Sequence, residues 1–272
     1  MPELPEVETI RASLENIGIN NINIKKIFRS HFKLRIANKN NFDLLINSHF
    51  TAITRRARYL LLKTSNQLTL IIHLGMSGRI TIDNKLNQAK HNHFAIAFDD
   101  GKWLIFNDPR RFGFVDLIKN SDIDKYNMLR DLGPEPLSPD FNWKYFANQI
   151  SGKSTNIKNL IMDNKIVVGV GNIYANESLF MAKILPFRIS HSLSNQELKK
   201  LVDCIKVVIS LAIENKGSSI NDYVDAAGNV GNFQNNFKVY GKNKQNCPNC
   251  NIIIDRIVQN GRSSFYSQKC QK

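Results

Sequence analysis

The apolar residues of this chain change their period twice, and those changes limit what the chain can fold into. From about residue 22 to 118 they fall in short runs rich in β-branched and aromatic side chains: 22–28, 59–64, 68–74, 94–98, 104–107 and 114–118. Turn signals such as Asp99-Asp100-Gly101 separate several of the runs, a pattern that predicts a β-sandwich or barrel-like domain. Ahead of it Val7, Ile10, Leu14 and Ile17 recur at helical spacing, so residues 3–17 are expected to form a helix packed on that domain. After Lys119-Asn120-Ser121-Asp122, a plausible hinge, the pattern turns helical, with segments 141–150, 157–162, 176–181 and 196–215. A further helix is expected to end in 129–137, where Gly133 is followed by Pro134 and Pro136.

The expected organisation is therefore an α+β multidomain chain. Residues 1–118 form the first domain, 119–125 a hinge and 126–236 a helical domain. Within the last, the Gly-, Ser- and Asn-rich stretch 217–236 reads as a surface loop of the kind that often carries function. Residues 237–272 form a small cysteine-bearing module. At 272 residues the chain is long enough for two domains with separate cores.

Lysine and arginine outnumber the acids by 37 to 23, a net charge of +14. Such an excess points to a polyanionic partner, nucleic acid first, with a membrane surface or simple lysine enrichment as alternatives. No apolar run approaches the ~20 residues needed to span a bilayer. The acidic, proline-bearing N-terminus does not read as a signal peptide, so a cytoplasmic location is expected.

Four stretches carry candidate chemistry. The first is Met1-Pro2-Glu3-Leu4-Pro5-Glu6. Removal of Met1 would free the Pro2 nitrogen, a secondary amine able to attack an electrophilic carbon, and Glu3 and Glu6 stand three apart on one helical turn beside it. The same residues also suit ordinary helix initiation. In the second, Gly169-Val170-Gly171-Asn172, the glycines permit close backbone approach to a phosphate, or equally a tight turn between helices. It lacks the spacing of a dinucleotide fingerprint. The third is Asp108-Pro109-Arg110-Arg111-Phe112-Gly113, in which an arginine and an aromatic wedge suit a loop entering nucleic acid. Met76, in the glycine-flanked 73–78, is a second unbranched apolar side chain on such a loop, and both could instead be core.

The fourth stretch is Cys247-Pro248-Asn249-Cys250, half of a zinc knuckle. Its second half offers Cys270 but has Ser267 where a third-position thiolate belongs, and a neutral hydroxyl is a poor zinc ligand. A metal-free hairpin of the same shape is the alternative, with Arg262 at its turn. Cys204 lies in an amphipathic helix and reads as a small buried apolar residue.

Taken in order, these motifs resemble the bacterial formamidopyrimidine-DNA glycosylases. The anchors are residues 1–9, 73–78, 108–113, Leu132-Gly133-Pro134-Glu135-Pro136-Leu137, 162–165 running on to 168–175, and the Arg262 hairpin. The resemblance covers nearly the whole chain. It implies an N-terminal β-sandwich, a helix-two-turn-helix domain and a C-terminal zinc finger, holding double-stranded DNA with an oxidised base. It also implies excision of 8-oxoguanine and formamidopyrimidines and strand cleavage by β,δ-elimination, by a monomer. Carried over by position, Pro2 is the Schiff-base nucleophile, Glu3 the proton donor and acceptor, and Glu6 a support. His91, Arg110, Lys153 and Asn172 match DNA contacts, Met76 and Phe112 the void-filling and wedge residues, and Arg262 the phosphate-gripping arginine of δ-elimination. The loop at 217–236 falls where the family closes over the flipped base.

Two departures stand out. Arg58 occupies a lysine position, and arginine keeps its charge but does not give up its proton. Ser267 weakens or removes the single zinc expected with Cys247, Cys250 and Cys270. The rival readings are an endonuclease VIII-like enzyme for oxidised pyrimidines and a lesion-DNA binder with impaired catalysis. An RNA-binding zinc-ribbon protein leaves the N-terminus unexplained.

Overall fold

The computed structural model describes residues 2–32, 34–35, 40–87, 89–219 and 224–272, arranged in two compact units. Unit 1 comprises residues 1–130 and 215–232, and unit 2 comprises 131–214 and 233–272.

Unit 1 is the expected sandwich. One antiparallel sheet has the order β2 (Phe50–Arg56), β3 (Tyr59–Thr64), β4 (Leu68–His73), β8 (Phe114–Lys119). The other runs β1 (Ile24–Arg29), β6 (Asn92–Phe98), β7 (Trp103–Asn107), β5 (Arg79–Asp83). Inward side chains such as Phe50, Leu62, Leu70, Phe94, Ile96 and Phe106 form one core. Helix α1 (Leu4–Ile17) adds Val7, Ile10 and Leu14 to it. Its start is a reciprocal capping box between Glu3 and Glu6, and Gly18 (φ 75°) ends it in the left-handed conformation.

Unit 2 holds α2 (Trp143–Ile150), α3 (Ile157–Ile161), α4 (Asn172–Ala182), α5 (Asn195–Glu214) and the hairpin β9 (Asp255–Gln259) with β10 (Arg262–Tyr266). α4 packs against α3, α5 and β10, which is why nine of its eleven residues are buried. It begins four residues before the expected 176, with Gly171 as its N-cap.

Two details differ from the sequence reading, and the segment expected as a hinge takes a definite form. The expected helix ending in 129–137 is a turn in which the Leu129 and Arg130 amides both donate to the Tyr126 carbonyl. Gly133 there lies against the Ile166 backbone, with no room for a Cβ, and the residue before a proline disfavours helix. The expected hinge is a 3₁₀ turn, Asn120–Lys125, continuous with β8. Residues 215–232, grouped above with the helical domain, fold back onto the sandwich: Ile82 N donates to the Ala226 carbonyl and Ala226 is buried in the sandwich core.

Candidate active site and nucleic-acid interface

In unit 1 the capping box gathers the acids that the sequence singled out. Glu3 and Glu6 are both buried, and the half-buried Pro2 directly precedes Glu3. The Glu6 carboxylate accepts from Glu3 N through one oxygen (2.8 Å) and from Ser218 N through the other (2.8 Å). Glu6 thus ties the start of α1 to the 215–232 segment. That approach requires Gly217, which sits at φ 73° and whose Cβ would lie 2.8 Å from Glu6 Oε1. Asn232 N bonds the Asn215 carbonyl and Gly231 N the Ser219 hydroxyl, so both ends of the segment are pinned. Met1 and residues 220–223, on which parts of the sequence reading fall, lie outside the described residues.

Two residues after Glu6, Glu8 accepts from Arg55 Nε (2.8 Å), and Arg55 also donates to the Ala57 carbonyl. This fixes the β2–β3 turn, where Ala57 (φ 53°) precedes the half-buried Arg58. Burial, together with the Arg58 and Arg35 charges, pushes His73 down to about 4. Its neutral ring stacks on Phe114 and accepts from Gly75 N through Nδ1 (3.2 Å).

His73 therefore braces the loop that carries Met76. A second brace is Asp108, fully buried, which accepts from Ser77 Oγ (2.6 Å) and Gly113 N (2.7 Å). Gly75 and Gly113 let the two loops touch, since a Cβ on Gly75 would lie 2.3 Å from Gly113 N. The joined loops present Met76 (43 % exposed) and Phe112 (44 % exposed), with the Arg110 guanidinium over the Phe112 ring at 5.0 Å. Large apolar side chains this exposed, on a braced and cation-flanked platform, have the form of wedges for a base stack. The half-buried His91 adjoins the platform through its carbonyl, which accepts from Asp108 N.

In unit 2 Asn172 opens α4, and Asn176 Nδ2 donates to its carbonyl (2.6 Å). The Lys153 carbonyl accepts from the Ser190 hydroxyl (2.7 Å) and from His191 Nδ1 (3.1 Å). This fixes the turn that carries the half-buried Lys153 side chain. Arg262 is exposed beside the two-residue turn Asn260-Gly261, both at positive φ as a tight hairpin needs.

The sulfur atoms of Cys247, Cys250 and Cys270 lie within 4.8 Å of one another, close enough to share a metal ion. Ser267 Oγ stands 3.3 Å from Cys250 Sγ and lowers that thiol to about 7. Three sulfurs close enough to share an ion, with the Ser267 hydroxyl beside one of them, make a donor set that fits a metal ion while offering one weak ligand.

Sequence reading did not single out Ser218, His73, Asp108, Lys158, Asn176 or Glu177. Glu177 is buried and accepts from the amides of Lys238, Val239 and Tyr240, fixing the start of the C-terminal module. Asp108 sat inside a quoted motif, but nothing in the motif distinguishes a buried brace from a surface acid.

Known proteins match throughout the chain. The formamidopyrimidine-DNA glycosylase N-terminal domain model matches residues 1–115, and the formamidopyrimidine-DNA glycosylase H2TH domain model matches 132–224. A formamidopyrimidine-DNA glycosylase of Wolbachia sp. subsp. Drosophila simulans is 44 % identical over 273 residues, covering all of both chains. One from Rickettsia bellii is 40 % identical over 274 residues, again covering both completely. Among solved structures, a complex of wild-type Lactococcus lactis Fpg with N7-benzyl-Fapy-dG DNA superposes with a TM-score of 0.90 at 33 % identity, covering all of both chains. MutM from Thermus thermophilus superposes at 0.88 and 32 % identity, over 99 % of this chain and 98 % of that one.

Proposed function

The chain belongs to the formamidopyrimidine-DNA glycosylase family, which repairs oxidised bases in DNA, and on that premise we propose a bifunctional glycosylase and abasic-site lyase for oxidised purines, 8-oxoguanine and formamidopyrimidines. The observation that carries this reading is the arrangement at the start of α1. Pro2 directly precedes Glu3, which shares a buried capping box with Glu6, and Glu6 is anchored to the 215–232 segment.

With Met1 removed, the Pro2 nitrogen attacks C1′ of the extruded nucleoside and the damaged base leaves, Glu3 supplying and accepting the proton at the sugar. The attacking nitrogen loses its single proton, and the C1′–O4′ bond then opens with Glu3 protonating O4′; with no second N–H to lose, the product is a cationic iminium. Its charge draws electrons from the sugar and acidifies the C2′ hydrogen. Loss of that proton expels the 3′ phosphate, and a second elimination expels the 5′ phosphate. Glu6 holds the Glu3 backbone in place. Arg58 contributes fixed positive charge for a phosphate but no proton transfer.

Arg110, His91, Lys153, Asn172 and Arg262 are assigned to the DNA backbone and base edges, with Arg262 also serving δ-elimination. Met76 and Phe112 fill the space left by the extruded nucleotide, which must leave the stack before C1′ can be reached. The loop at 217–236 covers the extruded base. The three cysteines would hold one zinc ion, which supplies a structural cross-link to the C-terminal module and takes no part in the bond changes. A cytoplasmic location and action as a monomer complete the proposal.

Incision of a duplex containing 8-oxoguanine tests the reading. The expected product is a one-nucleotide gap bounded by phosphates, with base release abolished in Glu3→Gln. Lesion binding without base release by the unaltered protein favours the impaired binder, and preference for oxidised pyrimidines favours the endonuclease VIII-like reading.

A further inference from the structure

Lys158 is the one lysine among the described residues with a nearly complete burial, 1 % exposed. It lies on α3, and its ammonium donates to the Ser263 carbonyl (2.8 Å) and the Ser264 hydroxyl (2.7 Å) on β10. The Ser264 hydroxyl in turn donates a hydrogen bond to Gln259 Oε1 across the hairpin (2.6 Å). Asn176, also buried, receives the Phe265 amide at Oδ1 (2.7 Å) while its Nδ2 group donates to the Asn172 carbonyl (2.6 Å). Three consecutive residues after Arg262 are thus fixed to α3 and α4. Burying an ammonium is costly, and a methionine of similar length would fill the space without that cost. What the ammonium adds is direction, because its donors fix where the β10 backbone lies.

We propose that Lys158 and Asn176 are positioning residues for Arg262. They hold the β9–β10 hairpin on α4 so that the Arg262 guanidinium and the Asn172 end of α4 meet the DNA backbone as one preset pair. The lock lies outside the cysteine cluster, so it sets the place of Arg262 with or without a metal. In this chain that independence matters, because Ser267 is the weak corner of the donor set. The inference rests on the reading of Arg262 as a phosphate contact.

The test is binding to a duplex carrying a tetrahydrofuran abasic analogue, measured from 50 to 200 mM salt with zinc supplied and after chelator treatment. Arg262→Ala should lose one phosphate contact, reducing the salt slope by about 1 and the affinity lost over that range by about 3.5-fold. An unchanged slope in Arg262→Ala overturns the reading of Arg262 itself, and the inference with it. Given that loss, Lys158→Met should show the same slope, chelator-treated or not, and the double variant should fall no further. Asn176→Ala, which changes no charge, should do likewise and serves if Lys158→Met does not fold. A parental slope in Asn176→Ala, or effects that add in the double variant, overturns the positioning role. So does a slope that falls in unaltered protein on chelation alone.

Discussion

Glu6→Gln isolates the contact on which the candidate active site turns. The carboxylate accepts two backbone N–H groups, one from Glu3 and one from Ser218, each at 2.8 Å, and Glu6 is only 2 % exposed. Glutamine has the same shape but only one oxygen, so its amide nitrogen must face one of those N–H groups. A buried donor left without an acceptor costs about 1–3 kcal/mol. If that cost falls on the arrangement that reacts, it corresponds to a loss of about 5- to 150-fold in rate. The loss should show in single-turnover release of 8-oxoguanine, which needs both Glu3 and the 215–232 segment in place. Cleavage of a preformed abasic site has no base to cover, so it should lose less. Equal losses on the two substrates would mean that Glu6 serves folding alone. No loss on either would refute the link between α1 and the 215–232 segment.

Three further outcomes follow from the geometry. His73 titrates near 6.5 when unfolded and is held at about 4 in the fold, so the unfolded chain binds the extra proton between these values. Stability should fall by up to about 3 kcal/mol as pH drops from 6.5 to 4, and His73→Gln should remove that part of the slope in urea unfolding. In Gly113→Ala the new Cβ would lie 2.6 Å from the His73 carbonyl and 2.7 Å from Phe106 Cζ, neither free to move. The variant should lose about 1–3 kcal/mol in thermal unfolding and weaken DNA binding by displacing Phe112, and a change under about 0.5 kcal/mol contradicts the braced platform. Ser267→Cys should complete a four-thiolate site and raise zinc affinity at least tenfold in a chelator competition, and equal affinities would show that the serine is no weak corner.

Local chemistry made much of the fold legible. β3 coincides with its apolar run, and the glycines at 75, 113 and 171 sit where loops touch or a helix begins. What the sequence hid are contacts between distant residues. Nothing local in Gly217-Ser218 announces a bond to Glu6, 212 residues away, so the 215–232 segment was grouped with the helices that precede it. Lys158 reads as one lysine among many until β10 covers it. The motif residues Pro2, Glu3, Arg110 and Arg262 could be named without the structure. The residues that hold them, Ser218, Asp108, Lys158 and Asn176, could not, because bracing leaves no mark in spacing or composition.

The central claim is that the nitrogen of Pro2 attacks the damaged nucleotide. The protein should be mixed with an 8-oxoguanine duplex in borohydride, and the trapped adduct digested and mapped by mass. The account predicts a DNA adduct on an N-terminal peptide that lacks Met1 and begins with Pro2, and none at Pro2 in protein that retains Met1, whose Pro2 nitrogen is an amide. An adduct on a lysine, or base release and strand cleavage with no adduct at residue 2, would contradict it.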